Sequence, residues 1–303
     1  MSESSGYLTA KDGTKLFYQS WQPQKVELAL LCIHGACSRS IEFAYLGDSL
    51  ASKDVVTYAL DLRSNGQSGG ERGDLADIKI QLDDIDEMAS FINKKWQKPT
   101  YMLGHSLGGS YALWYGSEHS EHLAGLVLVA PAIKVKMPLG MPAPLSDVWK
   151  FPIYGIFRPR EKWDVSRGWS KQFRDGEDAK YILNDEKCVK EFSFRYLLGL
   201  GRIGGKAGLK FASKINIPTL ILQGTNDDMA DPRGAKELYE RLATRSKEIR
   251  IFEGADHGLY GVFSFTLAVE AAETGKEEVC KIIYEWLTTS SHHPSAGAVV
   301  PSY

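Results

Sequence analysis

The pentapeptide Gly104-His105-Ser106-Leu107-Gly108 constrains this chain more than any other segment. An apolar run, Thr100–Leu103, leads directly into it. A helix-like stretch opening on Gly108 and Gly109 follows, to about Ser117. A strand that becomes a helix within so few residues strains the backbone of the central residue and lifts its side chain clear of the sheet. Glycines two places before and after are needed, because a Cβ there would strike the neighbouring strand or helix. A Gly-rich structural turn could share the pattern. The strand before it and the small-residue helix after it favour a presented nucleophile.

The rest of the chain supplies a sheet to carry such a turn. Lys11-Asp12-Gly13, between Gly6–Ala10 and Thr14–Trp21, predicts an opening hairpin. Leu28–Ile33 and Val55–Leu60 are continuous apolar runs, suited to strands buried on both faces of a parallel sheet. Residues 77–96 place Ile78, Leu82, Ile85, Ala89, Ile92 and Trp96 three and four apart, one stripe of a helix. Gly125–Val129 is a further strand. The alternation predicts a doubly wound α/β sheet.

It breaks after residue 131. Prolines and large apolar side chains crowd the stretch beyond Met137, and aromatics continue to Phe173 without clear strands. Residues 132–211 are expected to form an inserted, mostly helical cap, with 1–131 and 212–303 as the core. Alternation resumes with strands at Pro218–Leu222 and Glu248–Phe252, a helix from Pro232, and a last helix over about Lys276–Thr289. The tail, 290–303, is small and polar and expected to fray.

A serine hydroxyl needs an adjacent base, and the base needs an orienter. In sites built on such an elbow the chain order is serine, acid, histidine. Of seven histidines, three follow the cap, and two of those lie in the tail. That leaves His257, in Gly254-Ala255-Asp256-His257-Gly258, just past a strand end where ligands bind in α/β sheets. The acid should follow Pro218–Leu222, where Asp227, Asp228 and Asp231 are candidates. Asp227, three past Gly224, has the expected offset; Asp231 is better placed to cap the helix at Pro232. Asp256 adjoins the histidine too closely in sequence to face it. Two backbone N–H groups should meet a developing oxyanion: Leu107, after the nucleophile, and Ala36, in the His34-Gly35-Ala36 loop. His34 reads as a structural, hydrogen-bonded side chain.

With a formal net charge of -2 and no basic cluster, nucleic acid is not an expected partner. The N-terminus has no apolar h-region, and no apolar run is long enough to span a bilayer. Cys32, Cys37, Cys188 and Cys280 show no metal-ligand spacing and read as reduced thiols.

Taken together, His34-Gly35-Ala36, Gly104-His105-Ser106-Leu107-Gly108-Gly109, Gly224-Thr225-Asn226-Asp227 and Gly254-Ala255-Asp256-His257 resemble the signatures of monoglyceride lipases and lysophospholipase-like hydrolases. The segment Asp61-Leu62-Arg63-Ser64-Asn65-Gly66-Gln67-Ser68-Gly69-Gly70-Glu71-Arg72-Gly73 is similar to the loop these enzymes carry after the fourth strand. The similarity spans about residues 10–288 and is weakest in the cap. It implies an α/β-hydrolase fold and a cofactor-free serine esterase, cytosolic or membrane-peripheral, acting on monoacyl lipids. Short-chain esters, lysophospholipids and aminoacyl amides are the alternative substrates, and a non-catalytic receptor on the same fold the remote one. Cys37-Ser38-Arg39 departs from the usual Gly-Glu-His, and Asn65 from a customary histidine. Arg39 is expected to be solvated or, alternatively, to meet an anionic leaving group. Leu139, Met141, Leu145, Trp149, Phe151, Tyr154 and Phe157 are expected to line an acyl tunnel, or else to pack the cap onto the core. Transient membrane contact through the cap is left open, since Met137–Phe157 has few charges to form a polar face.

Overall fold

The computed structural model describes residues 2–136, 143–263 and 273–291. The chain opens with an antiparallel hairpin, β1 (Ser2–Thr9) and β2 (Lys15–Gln22). Gly13 makes its turn at φ +86°. Then come β3 (Leu28–Ile33), α1 (Ala44–Ala51), β4 (Val55–Leu60), α2 (Lys79–Trp96), β5 (Thr100–His105), α3 (Leu107–Glu118) and β6 (Gly125–Val129).

Beyond β6 lie a 3-10 turn at Leu145–Asp147, α4 (Lys150–Phe157), β7 (Lys162–Asp164), α5 (Lys171–Asp175), α6 (Glu177–Asn184), β8 (Glu191–Ser193), α7 (Phe194–Leu200) and α8 (Leu209–Ala212). The segment holds several short helices. It also holds a two-stranded antiparallel sheet, β7 with β8, which the sequence reading did not find. Strands of three residues are too short to show alternation. The chain closes with β9 (Thr219–Gly224), α9 (Pro232–Arg241), β10 (Lys247–Phe252) and α10 (Glu273–Ser291). Residues 292–303 of the expected frayed tail lie outside the described residues.

The main sheet runs β1-β2-β4-β3-β5-β6-β9-β10, parallel from β4 onward. Every residue of β3, β4, β5, β6 and β9 is buried, which is why these strands read as unbroken apolar runs. One face packs on α1 and α10 through Leu46, Leu50, Val279, Ile283 and Leu287. The other packs on α2, α3 and α9 through Leu82, Ile85, Leu113 and Leu238. Helix α1 escaped the sequence reading because two turns give little periodicity. Its Gly47 lets it lie on Trp21, whose ring atom Cδ2 would sit 2.2 Å from an added Cβ. Among the described residues no helix is long and apolar enough to cross a membrane.

The loop after β4 is folded around two buried charges. Asp61 accepts from the backbone N–H groups of Ser40 at 2.6 Å and Gln67 at 2.7 Å. Gly66 sits over this carboxylate at φ +54°, where a Cβ would come within 2.0 Å of Oδ2. Arg63 reaches back to Asp84 of α2 (2.7 Å for both bonds) and to Asp12 in the hairpin turn (2.5 Å). The same loop fastens the segment beyond β6. Arg72 donates to the carbonyls of Glu186 and Lys187 at 3.0 and 2.8 Å, and Arg195 of α7 pairs with buried Asp74. Arg39 pairs with Asp185 at 2.7 Å and donates to the Tyr181 hydroxyl at 3.0 Å. It is therefore neither solvated nor free to meet an anionic leaving group.

Arg63 and Asp84 are both buried, so removing either strands a charge away from water. Arg63→Ala is expected to lower unfolding stability by about 3 kcal/mol or more, read from urea denaturation midpoints at constant m-value.

Candidate active site

The elbow at the end of β5 adopts the strained geometry its sequence predicts. Ser106 has φ 53° and ψ -116°. An added Cβ on Gly104 would lie 2.3 Å from the Gly108 carbonyl oxygen, and one on Gly108 would lie 2.0 Å from that of Ile33. The serine backbone is fixed on both sides: its N–H donates to Val129 at 2.9 Å, and its carbonyl accepts from Gly109 and Ala132 at 3.0 and 3.1 Å. Such backbone strain persists only where surrounding structure over-determines it.

His257 and Asp227 come together at this end of the sheet, from the loops after β10 and β9. The His257 Nδ1 donates to Asp227 Oδ2 across 2.9 Å, leaving Nε2 as the free face of the ring. Asp227 is fully buried. Its Oδ1 accepts from the N–H groups of Met229 and Ala230 at 2.9 and 2.7 Å, and its Oδ2 also accepts from Gln223 at 2.9 Å. Burial alone would push this carboxyl up. The His257 charge and these donors outweigh it and hold Asp227 below the usual carboxylate range. Burial likewise works against a charged His257, but the Asp227 charge and hydrogen bond prevail and raise the imidazole above its ordinary value. The rival acids are engaged with other partners. Asp231 caps α9, accepting from the Arg233 N–H at 2.9 Å, and Asp228 accepts from the Ser170 hydroxyl.

The loop after β3 lies against the serine. Gly35 is packed so that an added Cβ would meet the Ser106 Cβ at 3.2 Å. His34 is structural: its Nε2 accepts from the Leu62 N–H at 3.0 Å, so its Nδ1 donates to the Gly35 carbonyl at 2.8 Å. Among the described residues, the backbone N–H groups of Ala36 and Leu107 have no protein acceptor. Both residues line the same cavity as Ser106 and His257. Cys37 follows at φ +61°. The lipases usually place a glycine here, and a side chain in this left-handed region costs roughly 1–2 kcal/mol.

The cavity has a volume of about 990 Å³. Its walls are largely apolar: Ile133, Phe151, Val165, Trp169, Phe173 and Leu197 come from β6 onward into the cap region, and Phe263 from the loop after β10. This corrects the expected acyl-tunnel residues. Of those described, Phe151 reaches the cavity, while Leu145, Trp149, Tyr154 and Phe157 do not. Tyr154 packs on Phe194 with ring centroids 5.0 Å apart, and Leu145, Trp149 and Phe157 are exposed. Leu139 and Met141 lie outside the described residues. The walls that sequence reasoning missed, Trp169, Phe173, Ile182 and Leu197, sit on turns and helices too short to show a face.

Similarity to known proteins agrees with this geometry. A family model described as serine aminopeptidase S33, in a hydrolase family, matches residues 24–261. The chain belongs to this hydrolase family. Human monoglyceride lipase is 27% identical over 267 residues, covering 84% of this chain and 83% of its own. The monoacylglycerol lipase of Mycolicibacterium smegmatis is 23% identical over 261 residues, covering 82% and 88%. A soluble variant of monoglyceride lipase from Saccharomyces cerevisiae, solved with a substrate analogue, superposes with a TM-score of 0.78 at 22% identity and 94% coverage of both chains. That structural likeness shows the α/β-hydrolase fold.

Away from the cavity of this S33-family hydrolase, Asp86, His119 and His122 bring potential metal-ligand atoms within 4.8 Å of one another. Asp86 is engaged by protein groups, accepting from Tyr115 at 2.9 Å and from His122 at 3.0 Å, while His119 stands 3.9 Å from it.

The electrostatics of the buried pair are directly measurable. In an NMR titration the His257 ring is expected to change charge above its ordinary value of ~6.5. Asp227→Asn removes the charge that raises it, so the same resonance should titrate at lower pH; an unchanged midpoint would show that Asp227 does not set it.

Proposed function

We propose that this hydrolase cleaves monoacylglycerols and related monoacyl esters through an acyl-enzyme on Ser106. The observation that carries the reading is the large apolar cavity with Ser106 and His257 in its wall. At about 990 Å³ it lies at the upper end of the ~300–1,000 Å³ range of small-molecule sites, with room for a long acyl chain.

In this reading the Ser106 Oγ attacks the ester carbonyl carbon while His257 Nε2 takes its proton. Asp227 holds the ring by Nδ1 and stabilises the imidazolium. The carbonyl oxygen, now negative, is met by the N–H groups of Ala36 and Leu107, which have no competing acceptor among the described residues. Collapse of the tetrahedral intermediate breaks the bond to the alcohol oxygen, which leaves with the proton from His257. Water then adds to the acyl-enzyme with His257 again as base, releasing the carboxylic acid and restoring the serine. His257 must be neutral to start each half-reaction. Its raised pKa therefore places the acid limb of kcat/KM above the ordinary histidine value, with activity falling as pH drops through it.

Residues 132–211 act here as a cap that roofs the cavity. Its outer side also suits a lipid surface. Leu145, Trp149, Ile153, Ile156 and Phe157 are exposed together, the last two by 73% and 78%. Lys150 and Arg158 border them, as basic residues border apolar faces that rest in a headgroup layer. This arrangement supports a peripheral site of action at a membrane.

Hydrolysis of a p-nitrophenyl ester series, a monoacylglycerol and an aminoacyl p-nitroanilide tests the substrate. Efficient cleavage of long acyl chains, abolished in Ser106→Ala, is expected. Activity confined to acetyl esters, or to the anilide, would replace the lipid reading with a small-ester or amide one. For the surface, the double variant Ile156→Asp, Phe157→Asp should lose most of its sedimentation with phosphatidylglycerol vesicles while still hydrolysing soluble p-nitrophenyl butyrate. Undiminished sedimentation would count against this face.

A further inference from the structure

Behind the elbow lies a buried carboxylate that the reaction outlined above does not use. Glu42 stands in a 3-10 turn, Ser40–Phe43, and is 2% exposed. One oxygen, Oε1, accepts from the Gly35 N–H at 3.3 Å and faces His105 Nδ1 at 3.1 Å. The other accepts from the Ser38 hydroxyl. His105 is the residue before Ser106 and is itself 5% exposed. Its second nitrogen, Nε2, faces the main-chain carbonyl of His257 at 3.1 Å. The ring stacks on Phe263 at 5.4 Å and lies 4.9 Å from the His257 ring.

Counting protons decides what this arrangement is. Both partners of the His105 ring are acceptors: a carboxylate on one side and a carbonyl on the other. A neutral imidazole has a single N–H and can satisfy only one of them. The two contacts together need two protons, one on Nε2 for the His257 carbonyl and one between Nδ1 and Glu42. The Gly35 N–H and the Ser38 hydroxyl also donate to Glu42, which favours the ionised carboxylate and leaves the shared proton on Nδ1. A buried charge requires such a partner, and the Gly35 and Ser38 donors complete the solvation of the carboxylate.

We propose that Glu42 and His105 form a buried ion pair that positions the two loops of the reaction against each other. Through Gly35 and Ser38 the pair fixes the oxyanion loop on either side of Ala36. Through the His257 carbonyl it fixes the backbone of the general base. Neither residue touches the substrate's reacting atoms; both act through their neighbours. The roles of Ala36 and His257 rest on the ester-hydrolase reading, whereas the state of the His105 ring does not.

Two measurements test this separately. In ¹⁵N NMR of resting wild-type protein labelled at histidine, both His105 nitrogens should carry a proton at neutral pH, and Glu42→Gln should reduce this to one. A single protonated nitrogen in the wild type would overturn the ion pair, whatever the enzyme hydrolyses. In steady-state kinetics on p-nitrophenyl butyrate, Glu42→Gln keeps the side chain's shape and should lower kcat by about tenfold or more with KM within threefold. The Tm, measured alongside, separates this from loss of fold. A folded Glu42→Gln enzyme with kcat within twofold of wild type would overturn the positioning role. If wild type itself releases no p-nitrophenol and Ser106 takes no fluorophosphonate label, the hydrolase reading fails, and the NMR result still decides the pair.

Discussion

The whole site depends on how closely α3 can approach the sheet. Ser106 is held with a positive φ because β5 must end and α3 begin within one residue. That turn is possible only while Gly104 and Gly108 bring backbone against backbone, where a Cβ would overlap a carbonyl oxygen at 2.3 or 2.0 Å. Once α3 is seated, its first N–H, that of Leu107, is left without an acceptor at the cavity wall. The loop after β3 is drawn in at Gly35, with Ala36 beside it. The loops after β9 and β10 then need only deliver Asp227 and His257 to the same edge, which parallel strands do by ending together.

A second regularity is the use of buried carboxylates as loop organisers. Asp61, Glu42 and Asp227 are each nearly or fully inaccessible to water, and each is surrounded by donors from a loop that has no regular structure of its own. A loop cannot bury its amide groups without acceptors, and an ionised carboxylate accepts several at once. Asp227, like Glu42 with His105, also has a titratable partner, His257. Its burial sharpens the interaction that would otherwise be diluted by solvent.

How much of this was legible in the sequence varied with how local the signal was. The sheet strands were readable because burial on both faces leaves uninterrupted apolar runs, and Gly125–Val129 was found to the residue. Ser106, Asp227 and His257 could be singled out because each stands just past a strand end; the structure pairs Asp227 with His257 and sets Ser106 and His257 in one cavity wall. Residues 132–211 were not readable in detail. Strands β7 and β8 have three residues each, and α5 has five, so none can display a period. The cavity lining was misjudged for a related reason. Aromatic content marks residues that avoid water but not which way they turn, and Trp149 and Phe157 turn outward while Trp169 and Phe173 turn in. Arg39 was misread because its partner, Asp185, lies 146 residues away. Glu42 carried no sequence signal at all, being an ordinary glutamate in a short turn whose neighbours converge only in the fold.

The Arg39–Asp185 pair ties together two distant parts of the chain. It joins a residue three places beyond Ala36 to the end of α6, and so ties the loop after β3 to the segment that lines the cavity. Where the lipases usually have Gly-Glu-His, this chain has Cys37-Ser38-Arg39. The arginine is accommodated by a carboxylate and a tyrosine hydroxyl supplied from α6. A chimera that exchanged residues 132–211 alone would part the guanidinium from both of these partners, so the segment and the loop after β3 should be exchanged together.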